Sequence, residues 1–309
     1  MKKILKFIIV LLIFTGAYAD NKDIILFNVK KSDKITTKSI EDTFIKAGYI
    51  VEANRDMNGP FIKQFKDTDF SIYNLMTLYY PEITKDLLVK YEESGVFAPF
   101  SIVIYQKKGD DAIYAGVLSS SAQAKILGLS YNNELLQKLE AKNIETLLKA
   151  LPGAKRVKFN YTPKAITNKL LTRFEVEIDD EDIDIEEFKE EIEMVIEDGL
   201  KPIGFVMANF FDSNYFLNEN NIKIYDFYDT YSLCKLKVIY TVSKIHPEAG
   251  VFAPCTMALY KKKGSNNVKI VYPNVYNWIS TLAIDDPESV KVLEKAQVDM
   301  VELLQKVND

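Results

Sequence analysis

The stretch Gly95-Val96-Phe97-Ala98-Pro99 runs on to Tyr105 and to Lys107-Lys108-Gly109. The chain writes it again as Gly250-Val251-Phe252-Ala253-Pro254, Tyr260 and Lys262-Lys263-Gly264. The offset is constant at 155 residues (95 to 250, 105 to 260). A chain that repeats itself at this spacing is constrained to fold as two versions of one unit, and 309 residues divide into two units of ordinary domain size. The expected organisation is a leader over 1–19, a first unit over 20–153, a connector over 154–170 and a second unit over 171–309.

The leader is read from Lys2, Lys3 and Lys6, an apolar run from Phe7 to Phe14, and Ala17-Tyr18-Ala19. This is the charged, apolar, small-x-small order of a secretory signal, with cleavage expected after Ala19 and a periplasmic or secreted destination. The apolar run is short for a membrane span, and the mature chain is expected to have none. Without the three leader lysines, 36 basic residues stand against 44 acidic ones, a formal charge of −8. An acidic chain without a dense basic patch argues against nucleic acid and anionic lipid surfaces, leaving a small molecule or an envelope protein as the expected partner.

Within each unit the pattern is strand, helix, antiparallel strands, helix. Asp23–Val29 reads as a buried strand and Thr37 to Ala47 as a helix ended by Gly48. In the second unit Phe174–Ile178 alternates, then Asp184 caps a helix with its stripe at Ile185, Phe188, Ile192, Val195 and Ile196, stopping at Gly199. Helices are expected over about 81–91 and 236–245, and strands over 101–106, 112–117, 256–261 and 268–272. Each unit closes on a long helix, lined by Leu135, Leu139, Leu147 and Leu148 after Asn133, and by Leu293, Ala296, Met300, Leu303 and Leu304 after Asp286-Pro287. The fold class is therefore α+β in two tandem copies, the helices covering one face of each sheet and the copies able to pair within the molecule as a pseudo-dimer.

Cys234 entering a helix, Pro247-Glu248-Ala249-Gly250, and Ala253-Pro254-Cys255 before a strand to Tyr260 resemble the bacterial family called domain of unknown function 302. The resemblance is closer in the second copy. It implies a small α+β fold like the repeat of the TATA-binding protein, with no settled activity. The sequence departs from the family pattern in carrying Lys235-Leu236 where Asn-Pro is usual, and in lacking both cysteines in the first copy.

At the shared offset Cys234 corresponds to Tyr79 and Cys255 to Phe100, and this joint replacement points to contact between the two positions. In an oxidising compartment a disulfide is expected, closing a 21-residue separation (255 less 234) and stabilising by about 3 kcal/mol. The alternatives are free thiols serving redox chemistry or a soft metal such as Cu(I), and unpaired buried cysteines. His246, the single histidine, stands in the place of Tyr91, which favours a helix-end packing role over a base. Hydrolytic triads are correspondingly disfavoured, no cofactor motif appears, and a non-catalytic binding module is the expected function.

A polar motif recurs as Asn54, Asp56 and Asn58 before Phe61, and as Asn209, Asp212 and Asn214 before Tyr215 and Phe216. Asn and Asp fit turns, and beside aromatic rings they also fit the lip of a ligand site. Asp180, Asp182, Asp184 and Glu191 match four positions of a calcium loop, but Ile185 stands where that loop needs glycine. A helix cap accounts for Asp184 more simply.

Overall fold

The computed structural model describes residues 21–178 and 183–308, so the expected leader and the acidic residues 179–182 lie outside the described residues. The first sheet and its helices comprise β1 (Ile24–Lys30), α1 (Thr37–Lys46), β2 (Ile50–Asp56), α2 (Asn58–Phe65), β3 (Phe70–Tyr79), α3 (Pro81–Lys90), a 3-10 turn over Glu92–Phe97, β4 (Phe100–Lys107), β5 (Ala112–Leu118), α4 (Ser120–Leu127), α5 (Glu134–Ala150) and β6 (Lys155–Arg156). The second comprises β7 (Leu171–Glu177), α6 (Ile185–Leu200), β8 (Val206–Asp212), α7 (Ser213–Glu219), β9 (Tyr225–Cys234), α8 (Leu236–Ile245), a 3-10 turn over Pro247–Phe252, β10 (Cys255–Lys262), β11 (Asn267–Pro273), α9 (Tyr276–Thr281) and α10 (Pro287–Gln305). The molecule is mixed α+β.

Both sheets are antiparallel. Their orders are β2-β3-β4-β5-β1-β6 and β7-β11-β10-β9-β8. Read from its other edge, the second becomes β8-β9-β10-β11-β7, the order of the first without β6. The same register slip interrupts both outer strands, between Val51 and Ala53 and between Met207 and Asn209. Leu78↔Phe100 and Leu233↔Cys255 are matching pairs at the 155-residue offset.

Because side chains alternate along a strand, each sheet has two different faces. The outer face carries helices. Ile40 and Phe44 of α1 and Leu136, Leu139 and Leu147 of α5 are buried over the first sheet, where Tyr49 donates to Asn143 Oδ1 at 2.7 Å. Over the second sheet, Ile192, Ile196 and Leu200 of α6 meet the apolar stripe of α10. α6 ends at Leu200, one residue past Gly199, where a Cβ would come 1.9 Å from Leu303 Cδ1 and only glycine fits. The left-handed residue is Gly204, at φ +76.

The inner faces look toward the other half of the chain. Tyr73 donates to Pro247 O at 3.0 Å, and Tyr228 donates to Glu92 O at 2.5 Å. Ser101 Oγ reaches Pro254 O at 3.4 Å, and Thr256 Oγ1 reaches Pro99 O at 2.9 Å. Each pair is reciprocal at the 155-residue offset. Both tyrosines are fully buried. Removing an aromatic side chain from water contributes about 2–3 kcal/mol, provided its hydroxyl finds an acceptor, and here the turn carbonyls supply one.

Two short helices were not legible as helices. Asn58-Gly59-Pro60 and Ser213-Asn214 carry turn-forming residues, yet they open α2 and α7. In α5 the stripe is Leu136, Leu139 and Leu147, while Leu148 is exposed. Asp184 caps α6 by accepting from Glu186 N and Glu187 N, and Asp286 caps α10 through Ser289 N.

Candidate functional site

The outer strands β2 and β8 approach each other where the two halves meet. Arg55 donates to Ala208 O at 2.6 Å and Asn209 to Glu52 Oε2 at 3.2 Å. Beside these bridges lies a groove of about 670 Å³, walled by β2, β3 and α2 from one half and by β8 and the start of α8 from the other. Its apolar lining includes Met57, Leu75, Val206, Met207, Leu236 and Pro254. Val206 is 58% exposed, an apolar side chain left to water inside a concavity.

Polar groups are few. Arg55, Lys235 and Lys237 line the groove against a single acid, Asp56. Lys235 is paired with Asp299 at 2.6 Å, a carboxylate it shares with Lys295 at 2.8 Å, and Lys237 lies 3.7 Å from exposed Glu288. Arg55 has no carboxylate partner among the described residues. Thr77 sits on the groove wall, 2% exposed, and its Oγ1 has no hydrogen-bond partner among the described residues. A buried hydroxyl left unpaired costs roughly 1–3 kcal/mol.

A second, smaller space of about 50 Å³ lies under α8 and α10, lined by Phe205, Leu233, Met257, Trp278, Leu293 and Met300 among others. Cys234 and Lys235 border both this cavity and the groove.

Both cysteines are free, which corrects the expected disulfide. The reason is register: Cys255 faces Leu233 across the ladder, so Cys234, one residue on, points to the opposite side of the sheet. The first half shows the same divergence. Tyr79 packs inward on Phe211, ring centroids 4.6 Å apart, whereas Phe100 packs outward toward Tyr49 at 6.4 Å. The two thiols border one cavity without being bridged. Burial pushes both thiols up to about 12, which suppresses the nucleophilic thiolate at neutral pH. A thiol reagent at pH 7 is expected to leave the native protein almost unmodified and to titrate two groups after denaturation; none after denaturation would restore the bridge.

The candidate lip residues separate. Asp56 and Asn209 line the groove. Asn54 turns onto α1, donating to Glu41 Oε2 at 2.9 Å, and Asn58 accepts from Thr68 at 2.7 Å. Asp212 caps α7 through Tyr215 N at 2.6 Å, and Asn214 donates to Asp226 O at 3.0 Å. Phe216 packs against Tyr79, and Tyr215 is exposed. Arg55 and Thr77 were not singled out from sequence. Thr77 and Ser232 offered a signal, being hydroxyl residues at the repeat offset in apolar strands. His246 ends α8, its ring edge-on to Tyr161 at 5.8 Å and its Nδ1 3.6 Å from Glu248, which also accepts from Tyr161. Among the described residues no three His, Cys, Asp or Glu side chains cluster as metal ligands, and no helix is long and apolar enough to cross a membrane.

Residues 183–307 match the family model described as "Domain of unknown function DUF302". That span takes in α6 through α10 and carries the segments whose resemblance to this family was noted above. Among solved structures, the uncharacterized conserved protein DUF302 from Bacillus stearothermophilus is 18% identical, with a TM-score of 0.35 over 44% of this chain and 97% of that one. No curated protein matches.

Proposed function

We propose that the chain is one α+β unit written twice, paired within the molecule, and that it acts as a non-catalytic binding module whose ligand sits in the groove between β2 and β8. The reciprocal bonds Tyr73–Pro247 with Tyr228–Glu92, and Ser101–Pro254 with Thr256–Pro99, support the pairing. The unit boundaries remain those read from sequence, 20–153 and 171–309, and the leader pattern supports action in the periplasm or outside the cell.

The groove carries the functional reading. At about 670 Å³ it lies within the roughly 300–1,000 Å³ usual for small-ligand sites, and it joins an apolar lining to a few placed polar groups. Nothing in it pairs a nucleophile with a base. The thiol reading draws no support from two buried thiols held protonated at neutral pH.

Native mass spectrometry of protein isolated from its own host is expected to reveal a retained small molecule. Ala53→Trp, filling the groove, and Val206→Asp, at an exposed wall position, are both expected to lose it while unfolding at temperatures close to the parent's. Equal retention by both variants would place the ligand elsewhere.

A further inference from the structure

We infer that the groove takes an amphipathic carboxylate with a single alkyl chain, an inference that rests on the binding-module reading above. The head-group side is set by β2 and β3. Arg55 pairs with Leu75 and Ala53 with Thr77 in the antiparallel ladder, so Arg55 and Thr77 lie diagonally on one inner face. Diagonal neighbours stand about 7–8 Å apart, a span that one carboxylate can bridge between a guanidinium and a hydroxyl.

Each of the two groups lacks something a carboxylate supplies. The Arg55 guanidinium spends one N–H on Ala208 O and has no acid among the described residues, and guanidinium carries five donors arranged to suit two carboxylate oxygens. Thr77 Oγ1 is a buried donor with no acceptor. A phosphate or sulfate head, bulkier and with more acceptor oxygens, would need more donors than this pair offers. Lys235 is held away from this pair by Asp299, which it shares with Lys295.

The chain side is apolar. Val206, Met207 and Leu236 continue the groove from Arg55 toward Cys234, and Cys234 also borders the 50 Å³ cavity under α10. In the first half the positions of Cys234 and Cys255 carry Tyr79 and Phe100. Both small thiols border that cavity, Cys234 from the groove side, and the distal end of an alkyl chain can enter it at the cost of moving Cys234.

Isothermal titration of the full chain with dodecanoate, below its micelle concentration, tests the assignment. Saturable one-to-one binding is expected, weakened about tenfold or more by Arg55→Gln, the loss of a charge-assisted pair. Thr77→Val is expected to weaken binding several-fold while raising the resistance of the unliganded protein to denaturant, because it removes an unpaired buried hydroxyl. A merely structural threonine would not move these two readouts in opposite directions. Dodecanol or dodecyltrimethylammonium binding as tightly as dodecanoate would overturn the head-group assignment. Failure of every alkyl probe, with a host molecule still retained by the parent and lost from Ala53→Trp, would overturn the alkyl class and leave the groove reading standing. Absence of both would remove the groove reading itself.

Discussion

Gly250→Ala is expected to lower the unfolding free energy by about 2–3 kcal/mol, and Gly95→Ala by a similar amount, the range found for overpacked cores. These glycines belong to the repeated string and sit in the two 3-10 turns at the contact between the halves. A Cβ on Gly250 would stand 2.5 Å from Val103 Cγ2 and 2.8 Å from Leu75 Cδ2; one on Gly95 would stand 2.2 Å from the Tyr228 hydroxyl oxygen. Neither neighbour yields cheaply, since Val103 and Tyr228 are fully buried. The repeated glycines Gly109 and Gly264 provide the control. Their φ values are +82 and +77 with open space around them, so alanine there meets only the left-handed backbone penalty of about 1–2 kcal/mol. Urea unfolding of the single variants and of Gly250→Ala with Val103→Ala checks the argument. Val103→Ala should recover part of the Gly250→Ala loss, and a double variant showing simple additivity would refute close contact as the cause.

The second large effect depends on pH. Asp229 lies in the middle of β9, on the face covered by α6, its side chain 2% exposed and 2.8 Å from Lys189 Nζ. Burial pushes its carboxyl up to about 6, against the pull of Lys189 and with smaller upward contributions from Asp212 and Glu193. In the unfolded chain an aspartate titrates near 3.9. Between these values the folded protein holds a proton the unfolded chain has released, so this group's stabilising contribution is full below about pH 4 and is lost as pH rises through about 6. The loss is on the order of 3 kcal/mol. Asn74 occupies the matching place in the first half, bonded to Asn54 at 2.9 Å. Asp229→Asn is therefore expected to flatten the stability profile between pH 4 and 6. Denaturant midpoints measured across that window decide it: an unchanged slope in the variant would assign the titration to another group.

The long closing helices were legible because their caps survive in single residues: Asp286 and Asn133 cap where expected. The second half's polar motif was misaligned by one residue. Asn54 and Asn209 stand 155 apart, but the outer strands β2 and β8 are offset by 156 (206 less 50), so Ala53 is opposite Thr77 and Asn209 opposite Ser232. A slip of one exchanges faces, so Phe210, not Asn209, holds the place of Asn54. The cysteine pairing failed for the same reason, since a sequence comparison carries no sidedness. Arg55 was hidden because its carbonyl partner lies 153 residues away (208 less 55), and no local pattern reports a wall built from two distant edges.

Because both sheets belong to a single polypeptide, a substitution near the central contact occurs once, whereas in an assembly of two identical chains it would occur on both sides. Arg55 and Phe211 show what that permits: each is paired with the matching residue of its neighbouring strand, Leu75 and Thr230, yet one is a cation and the other an aromatic ring. A cleft between identical chains would admit an elongated guest head-first or tail-first with equal ease. Here the two directions differ, so the carboxylate ligand proposed above would have a preferred polarity along the cleft.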